Sequence, residues 1–537
     1  MEREAFDFVV TGAGSAGCAV AARLSEDGRY RVLLLEAGKR DNYPWIHIPI
    51  GFHKLYTHDT YNWRFESEPV AGLNGRTSYQ PRGKMLGGTS SLNGMVYMRG
   101  TPADYDGWRQ RGCTGWDYAS VLPYFRKAED QERGPDEFHG VGGPLKVSDQ
   151  RFTNEIIDAV IEAAVQAGIP RNNDFNGATQ EGVGYYQATI GNGRRWSAAT
   201  AYLRPARNRK NLVVVPEAHA TRLLIENGRA TGIEFRTPRG LETARCLGEV
   251  VVAGGVYGSP QLLMLSGIGP GAHLRDMGIA VQRDLPVGAN LHDHFNSFIA
   301  WKAKKAVTLN DLARSPVAKV KAGIQFALGR RGPLTGTSTL AGIFMRSDPR
   351  FDRPDLQFNI SLYSIERRER DGIIPHGFPG FMITPVHLQP EGRGRVSLKS
   401  PDPLAPPKIE FKFLETAYDV EAMLFGARLC RKIAQQPALK PYVGEEIVPG
   451  PSVTSEKDLI EDLRNRGVSN LHPVGTCRMG TGSDAVVDPR LKVHGIAGLR
   501  VADASIMPQV VGGNTNAPSI MIGEKCAAMM LEDARRQ

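Results

Sequence analysis

The chain has 537 residues, of which 41% are apolar and 23% are charged. This length and composition allow a large buried core, which excludes a disulfide-stapled miniature domain and a wholly disordered chain. Basic residues exceed acidic ones to give a net charge of +9, but no long block of one sign occurs. A solvated basic surface is therefore expected, with no nucleic acid as a partner.

The cysteines and the N-terminal segment bear on the cellular compartment. The six cysteines are scattered and form no C-x-x-C pair, which favours a reduced chain and excludes the usual zinc and dithiol motifs. No leader pattern precedes the first strand, and no long apolar run is present. We therefore expect a cytoplasmic protein and leave contact with the inner face of the membrane open.

The N-terminal segment predicts a strand, a glycine-rich turn, a helix and a second strand. Residues 6–11 and 31–35 have the pattern of buried strands, and residues 18–25 that of a helix of small side chains. The turn reads Gly12-Ala13-Gly14-Ser15-Ala16-Gly17, and Glu36-Ala37 follows the second strand. Such glycines let the backbone approach a pyrophosphate, and the acid can bind ribose hydroxyls. The segment predicts a dinucleotide site without distinguishing NAD from FAD.

Further elements follow along the chain. Apolar spacing predicts helices at 121–130, 155–167 and 420–434, and a final helix at 519–534. Strands are predicted at 212–215, 222–225, 232–235, 249–252 and 499–504. A helix is predicted to start at residue 260. Between them, alternating segments such as 356–360 and 395–398 indicate antiparallel sheet. A strand followed by a glycine turn and a helix favours parallel α/β structure at both ends of the chain.

Two C-terminal segments carry polar side chains in loops. His472 stands beside Pro473 in the stretch 471–480, and residues 512–518 read Gly-Gly-Asn-Thr-Asn-Ala-Pro. Taken alone, the histidine would be a structural or surface residue, and the second stretch an N-cap and turn cluster.

Together with two further stretches, these segments resemble the glucose–methanol–choline (GMC) family of FAD-dependent oxidoreductases. The resembling segments are 83–106, 258–269, 472–480 and 503–518, in the family's order and over nearly the full chain. Within the family, 173–177, 487–492 and 500–508 look most like bacterial FAD alcohol dehydrogenases and L-sorbose dehydrogenases. The resemblance implies an α/β fold, α+β overall, with a discontinuous Rossmann-like FAD-binding domain (1–155, 205–300 and 471–537). The substrate domain (156–204 and 301–470) would be built on an antiparallel sheet with helices.

The resemblance also assigns roles to individual residues. His472 and Asn516 match the family's catalytic pair. The matched cofactor contacts run along the flavin, at the adenine, at the pyrophosphate and ribityl chain, and at the flavin ring. They are, in that order, Gly87, Gly88, Ser90, Asn93, Gly94, Met95 and Val96; Ala220; Asp503 and Ala504; Ala517 and Pro518. They join the contacts expected from the N-terminal turn: Gly12, Gly14, Ser15, Ala16, Gly17, Glu36 and Ala37.

One departure from the family pattern and one local sequence narrow these expectations. Relatives that attach FAD covalently carry histidine at the position of Leu92, and leucine has no nucleophilic nitrogen, so the FAD is expected to be non-covalent. The sequence His292-Asp293-His294 has the wrong spacing for one helical face, so no metal site is expected there.

The implied reaction is oxidation of a primary alcohol or polyol to an aldehyde or ketone. Hydride would pass to flavin N5 while His472, with an ordinary pKa near 6.5, takes the hydroxyl proton. Alternatives within the family are a choline-type dehydrogenase and an O₂-using alcohol oxidase. Outside this reaction class remain a hydroxynitrile-lyase-like enzyme and an FAD-binding protein without turnover. The electron acceptor, which could be a quinone, O₂ or another molecule, and the oligomeric state are not encoded in any motif.

Overall fold

Two large β-sheets organise the molecule, for which a computed structural model describes residues 5–370 and 372–536. The first sheet has seven strands. Six of them lie in the order Leu212–Val215, Val32–Leu35, Ala5–Thr11, Gly240–Val252, Arg229–Thr237 and His219–Glu226. The seventh, Leu499–Val501, pairs with the end of Gly240–Val252.

The parallel part of this sheet brings five strand ends to one edge, with Val215 beside Leu35 at its border. Thr11 pairs with Leu35 on one side and with Val252 on the other, and Val252 pairs with Val501. Because the strands are parallel, the segments that follow each of these residues emerge together. Four features therefore meet at the carboxyl edge, where ligands bind in open α/β sheets. They are the glycine turn, Glu36, the start of the helix Gly255–Leu265 and Asp503.

The second sheet is antiparallel and faces the same region. Six strands lie in the order Val443–Val448, Ile299–Ala303, Gly380–His387, Leu356–Ser361, Ala341–Met345 and Gly182–Tyr185. Two short strands, Phe295–Asn296 and Val468–Ser469, complete it. Its apolar face packs on the helices Ala417–Ala434 and Glu155–Gln166, which bury Met423 and Ile157 against it.

The long helix Asn516–Arg536 packs against Ser15–Leu24, and Arg23 there bonds the buried carboxylate of Glu524 at 2.8 Å. The other helices are Pro44–His47, Phe52–Leu55, Pro102–Gln110, Tyr118–Ala128, Arg204–Ala206, Gly255–Leu265, Gly271–Asp276, Leu309–Arg314, Pro316–Gly329 and Glu456–Arg466. Smaller strands are Phe65–Glu66, Tyr79–Gln80, Glu129–Gln131, Leu145–Val147, Ile190–Gly191, Arg194–Arg195, Ile268–Gly269, Arg283–Asp284, Ile365–Glu369, Gly372–Pro375, Arg395–Ser397 and Lys408–Glu410. In the described part of the chain, no helix has both the length and the apolar character needed to span a bilayer.

Two predicted elements differ in place or partner. The helix expected from residue 260 already begins at Gly255, with Pro260 inside it. Proline lacks the N–H that would bond the carbonyl four residues earlier, and Thr476 donates to that carbonyl, Val256 O, at 2.7 Å instead. The strand at 395–398 pairs only with Lys408–Glu410 and not with the antiparallel sheet.

The predicted α/β fold is confirmed. Strands of the first sheet come from residues 5–35, 212–252 and 499–501, and strands of the second from 182–185 and 295–469. The interleaving of two sheets therefore follows the expected order, while the domain boundaries themselves stay predictions.

Candidate active site

A cavity of about 670 Å³ runs from the carboxyl edge of the first sheet to the second sheet. Its volume is in the range of small-molecule and cofactor sites. The predicted site residues that line it are Gly12, Gly14, Ser15, Ala16, Glu36, Ala37, Gly88, Asn93, Gly94, Met95, Val96, Ala220, His472, Asp503, Ala504 and Asn516. Residues separated by almost the whole chain thus share one wall.

Five predicted contacts lie outside this lining. Gly17, Gly87, Ser90, Ala517 and Pro518 do not border the cavity. Ser90 donates through Oγ to Gly87 O at 2.5 Å, which closes the turn Gly88–Ser91, while Ala517 and Pro518 are buried in the first turn of the last helix. Each therefore has a packing role, and its contact with the cofactor stays a prediction.

The three glycines of the N-terminal turn do different things. Gly12 has φ +98°, and a Cβ there would lie 2.3 Å from Ala253 O. A Cβ on Gly17 would lie 1.9 Å from Gly12 O, so this glycine lets the helix pack on the strand. Gly14 borders the cavity, and no atom of the described residues lies within 4 Å of a Cβ added to it. The space beside Gly14 is thus open to a ligand, as close approach of a pyrophosphate requires.

Glu36 stands at the end of the second strand, 6% exposed. Its carboxylate accepts the backbone N–H groups of Ala13 at 2.9 Å and Gly38 at 2.8 Å, which fixes it beside the glycine turn. Burial raises the pKa of Glu36 to about 7. The neighbouring Ala218, His219 and Ala220 also line the cavity, so this end offers an acceptor for hydroxyl groups beside the segment 218–220.

Asp503 ties the last strand to the helix Gly255–Leu265. Its carboxylate accepts the N–H groups of Gly255 and Ser505, both at 2.8 Å, and the hydroxyl of Ser259 at 2.5 Å. The start of that helix is therefore fixed at the cavity wall.

At the other end, His472 lies in a loop held by Asp293. The His472 backbone N–H donates to Asp293 Oδ1 at 2.8 Å, and Asp293 Oδ2 accepts from Ser469. Nδ1 of His472 lies 3.1 Å from Nδ1 of His294 and 3.2 Å from the amide nitrogen of Asn470. Both ring position and orientation are therefore set by the segment 293–294.

The second ring nitrogen of His472 faces Asn514. Asn514 Nδ2 donates to His472 Nε2 at 3.1 Å, and Asn514 Oδ1 accepts from Gln357 at 3.3 Å. Burial and the nearby charge of Arg82 lower the pKa of His472 to about 3. The imidazole is thus neutral at pH 7, and the ordinary value of 6.5 does not apply.

Asn516 lines the same cavity, but its side chain turns toward the N-terminal turn. Ser15 Oγ donates to Asn516 Oδ1 at 2.8 Å. Within the described chain, Asn516 Nδ2 donates to no other group. The structure thus places Asn514, and not Asn516, against His472, while Asn516 keeps a free amide donor.

Comparison with known proteins identifies the family. Family models described as GMC oxidoreductase match residues 6–296 and 390–523, and residues 297–389 lie between them. The chain belongs to the GMC oxidoreductase family.

Individual GMC proteins resemble the chain over almost its whole length. The oxygen-dependent choline dehydrogenase of Rhizobium johnstonii is 44% identical over 531 residues, covering 98% of this chain and 95% of that protein. The alcohol dehydrogenase [acceptor] of Pseudomonas putida is 41% identical, covering 98% and 96%. The crystal structure of pyridoxine 4-oxidase from Mesorbium loti superposes with a TM-score of 0.89 at 30% identity, covering 98% and 99%.

Membership confirms that the protein is an oxidoreductase with FAD as its cofactor. The residues present fit FAD: the open side of Gly14 and the fixed carboxylate of Glu36 suit a pyrophosphate and an adenosine ribose. Asn93, Gly94 and Met95 line the same cavity. The FAD would therefore be held along the whole wall that the four GMC segments form.

Three residues at this GMC site were not singled out by sequence reasoning for these roles. His294 and Asn514 bond the two ring nitrogens of His472. Arg195, 1% exposed, donates to Ser90 O at 3.2 Å and to Asn93 Oδ1 at 2.9 Å. It pairs with no acid among the described residues, and burial lowers the pKa of Arg195 to about 9. The sequence gives only a weak signal for Asn514, which lies two residues before Asn516. It gives no signal for His294 or Arg195.

The His-Asp-His sequence serves the fold of this loop. His292 Nδ1 bonds Asn290 O at 2.7 Å, and its Nε2 accepts the N–H of Val510 at 2.9 Å. Asp293 and His294 turn to the His472 loop instead. In the chain as described, no three metal-ligating side chains gather at one point.

Basic groups dominate the cavity wall near His472. Arg82 donates to Leu471 O at 2.9 Å, and Arg76 donates to Gly467 O at 2.7 Å. Neither has an acidic partner among the described residues. Arg466 lies 5.1 Å from the centre of the Phe298 ring. Arg466 is paired with Asp462, and Glu366 also lines the cavity. The unpaired positive charge at this end therefore comes from Arg76 and Arg82, and the Phe298 face is covered by a cation.

Proposed function

We propose that this protein oxidises a neutral primary alcohol or polyol to an aldehyde or ketone, with His472 as the proton acceptor. The observation that carries the proposal is the placement of His472 on the cavity wall, with Asp293, His294 and Asn514 fixing its backbone and both ring nitrogens. A fixed, neutral imidazole facing a ligand cavity is what general-base catalysis needs.

Bound FAD supplies the two-electron redox chemistry. The protein's part is to remove the hydroxyl proton, because an alcohol gives up hydride readily only as the alkoxide forms. His472 Nε2 takes this proton, and Nδ1 then carries the ring's own proton toward His294, 3.1 Å away. The lone pair of His294 Nδ1 stabilises the imidazolium, so His294 is a positioning residue. Nε2 accepts the substrate proton once the substrate has displaced the amide of Asn514 from it.

Asn516 is the proposed donor to the substrate oxygen. Its Oδ1 is held by Ser15, which leaves the Nδ2 amide to bond the developing alkoxide. A fixed amide donor aimed at developing negative charge stabilises a transition state more than a ground state. Asn514 has the separate task of holding His472 Nε2 in position until the substrate arrives.

The unpaired positive charges of Arg76 and Arg82 support a neutral substrate over choline. A quaternary ammonium ligand needs a free aromatic face or a carboxylate. The Phe298 face is covered by Arg466, and Arg76 and Arg82 add positive charge. Choline oxidation is the second candidate, favoured by the carboxylate of Glu366 on the cavity wall and by the 44% identity to an oxygen-dependent choline dehydrogenase.

An anaerobic screen tests the reaction. Primary alcohols, polyols and choline are mixed with the purified holoenzyme, and bleaching of the oxidised flavin band is followed by stopped-flow absorbance. Neutral primary alcohols or polyols are expected to reduce the flavin faster than choline at equal concentration. A flavin that stays oxidised with every compound would remove the proposal and leave a lyase as the alternative. Reoxidation of the reduced enzyme by O₂ and by a soluble quinone then compares the acceptors.

We also propose that the FAD is bound without a covalent link. Leu92 lines the cavity and is 6% exposed, and its side chain has no atom that can bond a flavin carbon. Acid precipitation of the yellow holoenzyme is expected to leave the flavin in the supernatant. Flavin absorbance that stays with the washed, denatured pellet would contradict this.

A further inference from the structure

The helix Pro316–Gly329 turns an apolar face to solvent. Four large side chains are 79%, 64%, 53% and 86% exposed in chain order: Val317, Val320, Ile324 and Leu328. Spacings of three and four residues place them on one face. The opposite face buries Ala322 and Phe326. The helix is thus apolar toward the protein and apolar toward water, and we call its outer row of four the apolar stripe.

Other exposed large apolar residues in the described chain do not form such a row. They are Val141, Leu241, Leu247, Val307, Ile374 and Leu404. Isolated exposed apolar residues are normal on a protein surface, whereas a contiguous patch marks an interaction surface.

The flanks of the stripe are basic. Between Asp311 and Asp348 the sequence has no acidic residue. The basic residues in this interval are Arg314, Lys319, Lys321, Arg330, Arg331 and Arg346. Lys319 and Lys321 are exposed on the helix itself. The surface therefore combines apolar area with positive charge at both ends of the helix.

We propose that the apolar stripe docks on a lipid bilayer surface with anionic headgroups. The apolar side chains would enter the boundary between headgroups and acyl chains, and the lysines and arginines would meet lipid phosphates. A second copy of the chain is a poorer occupant, because a symmetric contact would bring the basic residues of the two helices together. At 14 residues the helix is about 21 Å long, so it lies along the surface rather than across the hydrocarbon core.

Docking there would bring the bilayer close to the cavity. After the helix, the chain passes through the turn Pro333–Thr335 to Ser338 and Thr339, which line the cavity wall. Apolar alcohols or lipid-soluble acceptors dissolved in the bilayer would then reach the cavity without crossing bulk water. The docking itself does not depend on which reaction the enzyme catalyses.

Vesicle flotation of the holoenzyme tests the proposal. Wild type is expected to float with vesicles of phosphatidylcholine mixed with phosphatidylglycerol, and less with phosphatidylcholine alone. The double variant Ile324→Glu/Leu328→Glu should lower the partition coefficient by about 10- to 100-fold. Lys319→Gln/Lys321→Gln should lower it by about fivefold for each lysine removed.

Matched controls replace exposed leucine and lysine side chains that lie outside the apolar stripe. Leu241→Glu/Leu247→Glu replaces two exposed leucines on the strand Gly240–Val252, and Lys457→Gln replaces an exposed lysine on the helix Glu456–Arg466. Both variants should float like wild type. FAD content checks that every variant is folded. Wild type that fails to float, or a glutamate pair that floats like wild type, would overturn the proposal. A dimer in sedimentation velocity that the glutamate pair dissociates, without vesicle binding, would assign the stripe to a second copy instead.

Discussion

The two ends of the cavity are built by different means. At the cofactor end, the site is formed mainly by backbone. Strand ends meet at one sheet edge, and the glycines leave room for a ligand beside it. At the substrate end, side chains from remote segments converge, as His294, His472 and Asn514 do. A backbone site leaves a dense local pattern in the sequence, whereas a convergent side-chain site leaves isolated polar residues.

The sharpest test of this separation is removal of His472. His472→Ala should lower the rate of flavin reduction by alcohol about 10²- to 10⁴-fold, because a positioned base is lost. Its FAD content should be unchanged, since the residue belongs to the substrate end. Anaerobic stopped-flow absorbance measures the rate, and the spectrum of the purified protein gives the FAD content.

His494→Ala is the control for this variant. His494 is also partly buried, but it bonds Gly480 O and does not line the cavity, so flavin reduction should stay near the wild-type rate. A His472→Ala enzyme within a few-fold of wild type would show that His472 is not the base.

A second test adds one methyl group at the cofactor end. Gly14→Ala should weaken FAD binding by about 10- to 100-fold, the effect of overpacking a close contact. The added Cβ meets no protein atom, so the apoprotein should keep its melting temperature. Fluorescence titration of apoprotein with FAD measures the affinity.

Gly323→Ala provides the comparison for Gly14→Ala. Its Cβ also meets no protein atom, but it lies on the solvent-exposed helix Pro316–Gly329. It should bind FAD like wild type. If Gly14→Ala did so too, the cofactor would not approach this turn.

The third test separates position from chemistry at His294. His294→Leu removes the acceptor for the His472 ring proton and should slow flavin reduction about 10- to 100-fold, the worth of a hydrogen bond to a charged group. His294→Asn can place an oxygen near the Nδ1 position and should recover most of the rate. Because His294 is fully buried and its Nε2 has no partner among the described residues, FAD content and melting temperature accompany each rate.

A merely structural role predicts a different result. Both variants would then lose stability and rate together, and asparagine would give no recovery. Loss of rate in His294→Leu at full FAD occupancy, with recovery in His294→Asn, is the outcome that the positioning role requires.

The sequence predicts the cofactor end far better than the substrate end, because the cofactor end is encoded locally and the substrate end is formed by remote side chains. The order of strands, turn and acid from Phe6 to Glu36 is local, and the structure reproduces every boundary to within three residues. His472 was predicted only through family resemblance. Its partner His294 is 178 positions away, and no periodicity links the two. The expected pKa near 6.5 also fails, because only the fold shows that burial and Arg82 lower it to about 3.

The smallest expected effect concerns the pH dependence of FAD binding through Glu36. Burial raises the pKa of Glu36 to about 7 in the protein without FAD, so the carboxylate is mostly protonated at pH 6 and mostly ionised at pH 8. If ribose hydroxyls donate to the ionised form, affinity scales with the ionised fraction, and it should fall about tenfold from pH 8 to pH 6. Glu36→Gln should bind more weakly at pH 8 and lose this dependence. Glu366→Gln, which changes another cavity-lining glutamate, should keep it. Fluorescence titrations at several pH values make the comparison, and a wild-type affinity that is constant between pH 6 and pH 8 would separate Glu36 from the ribose.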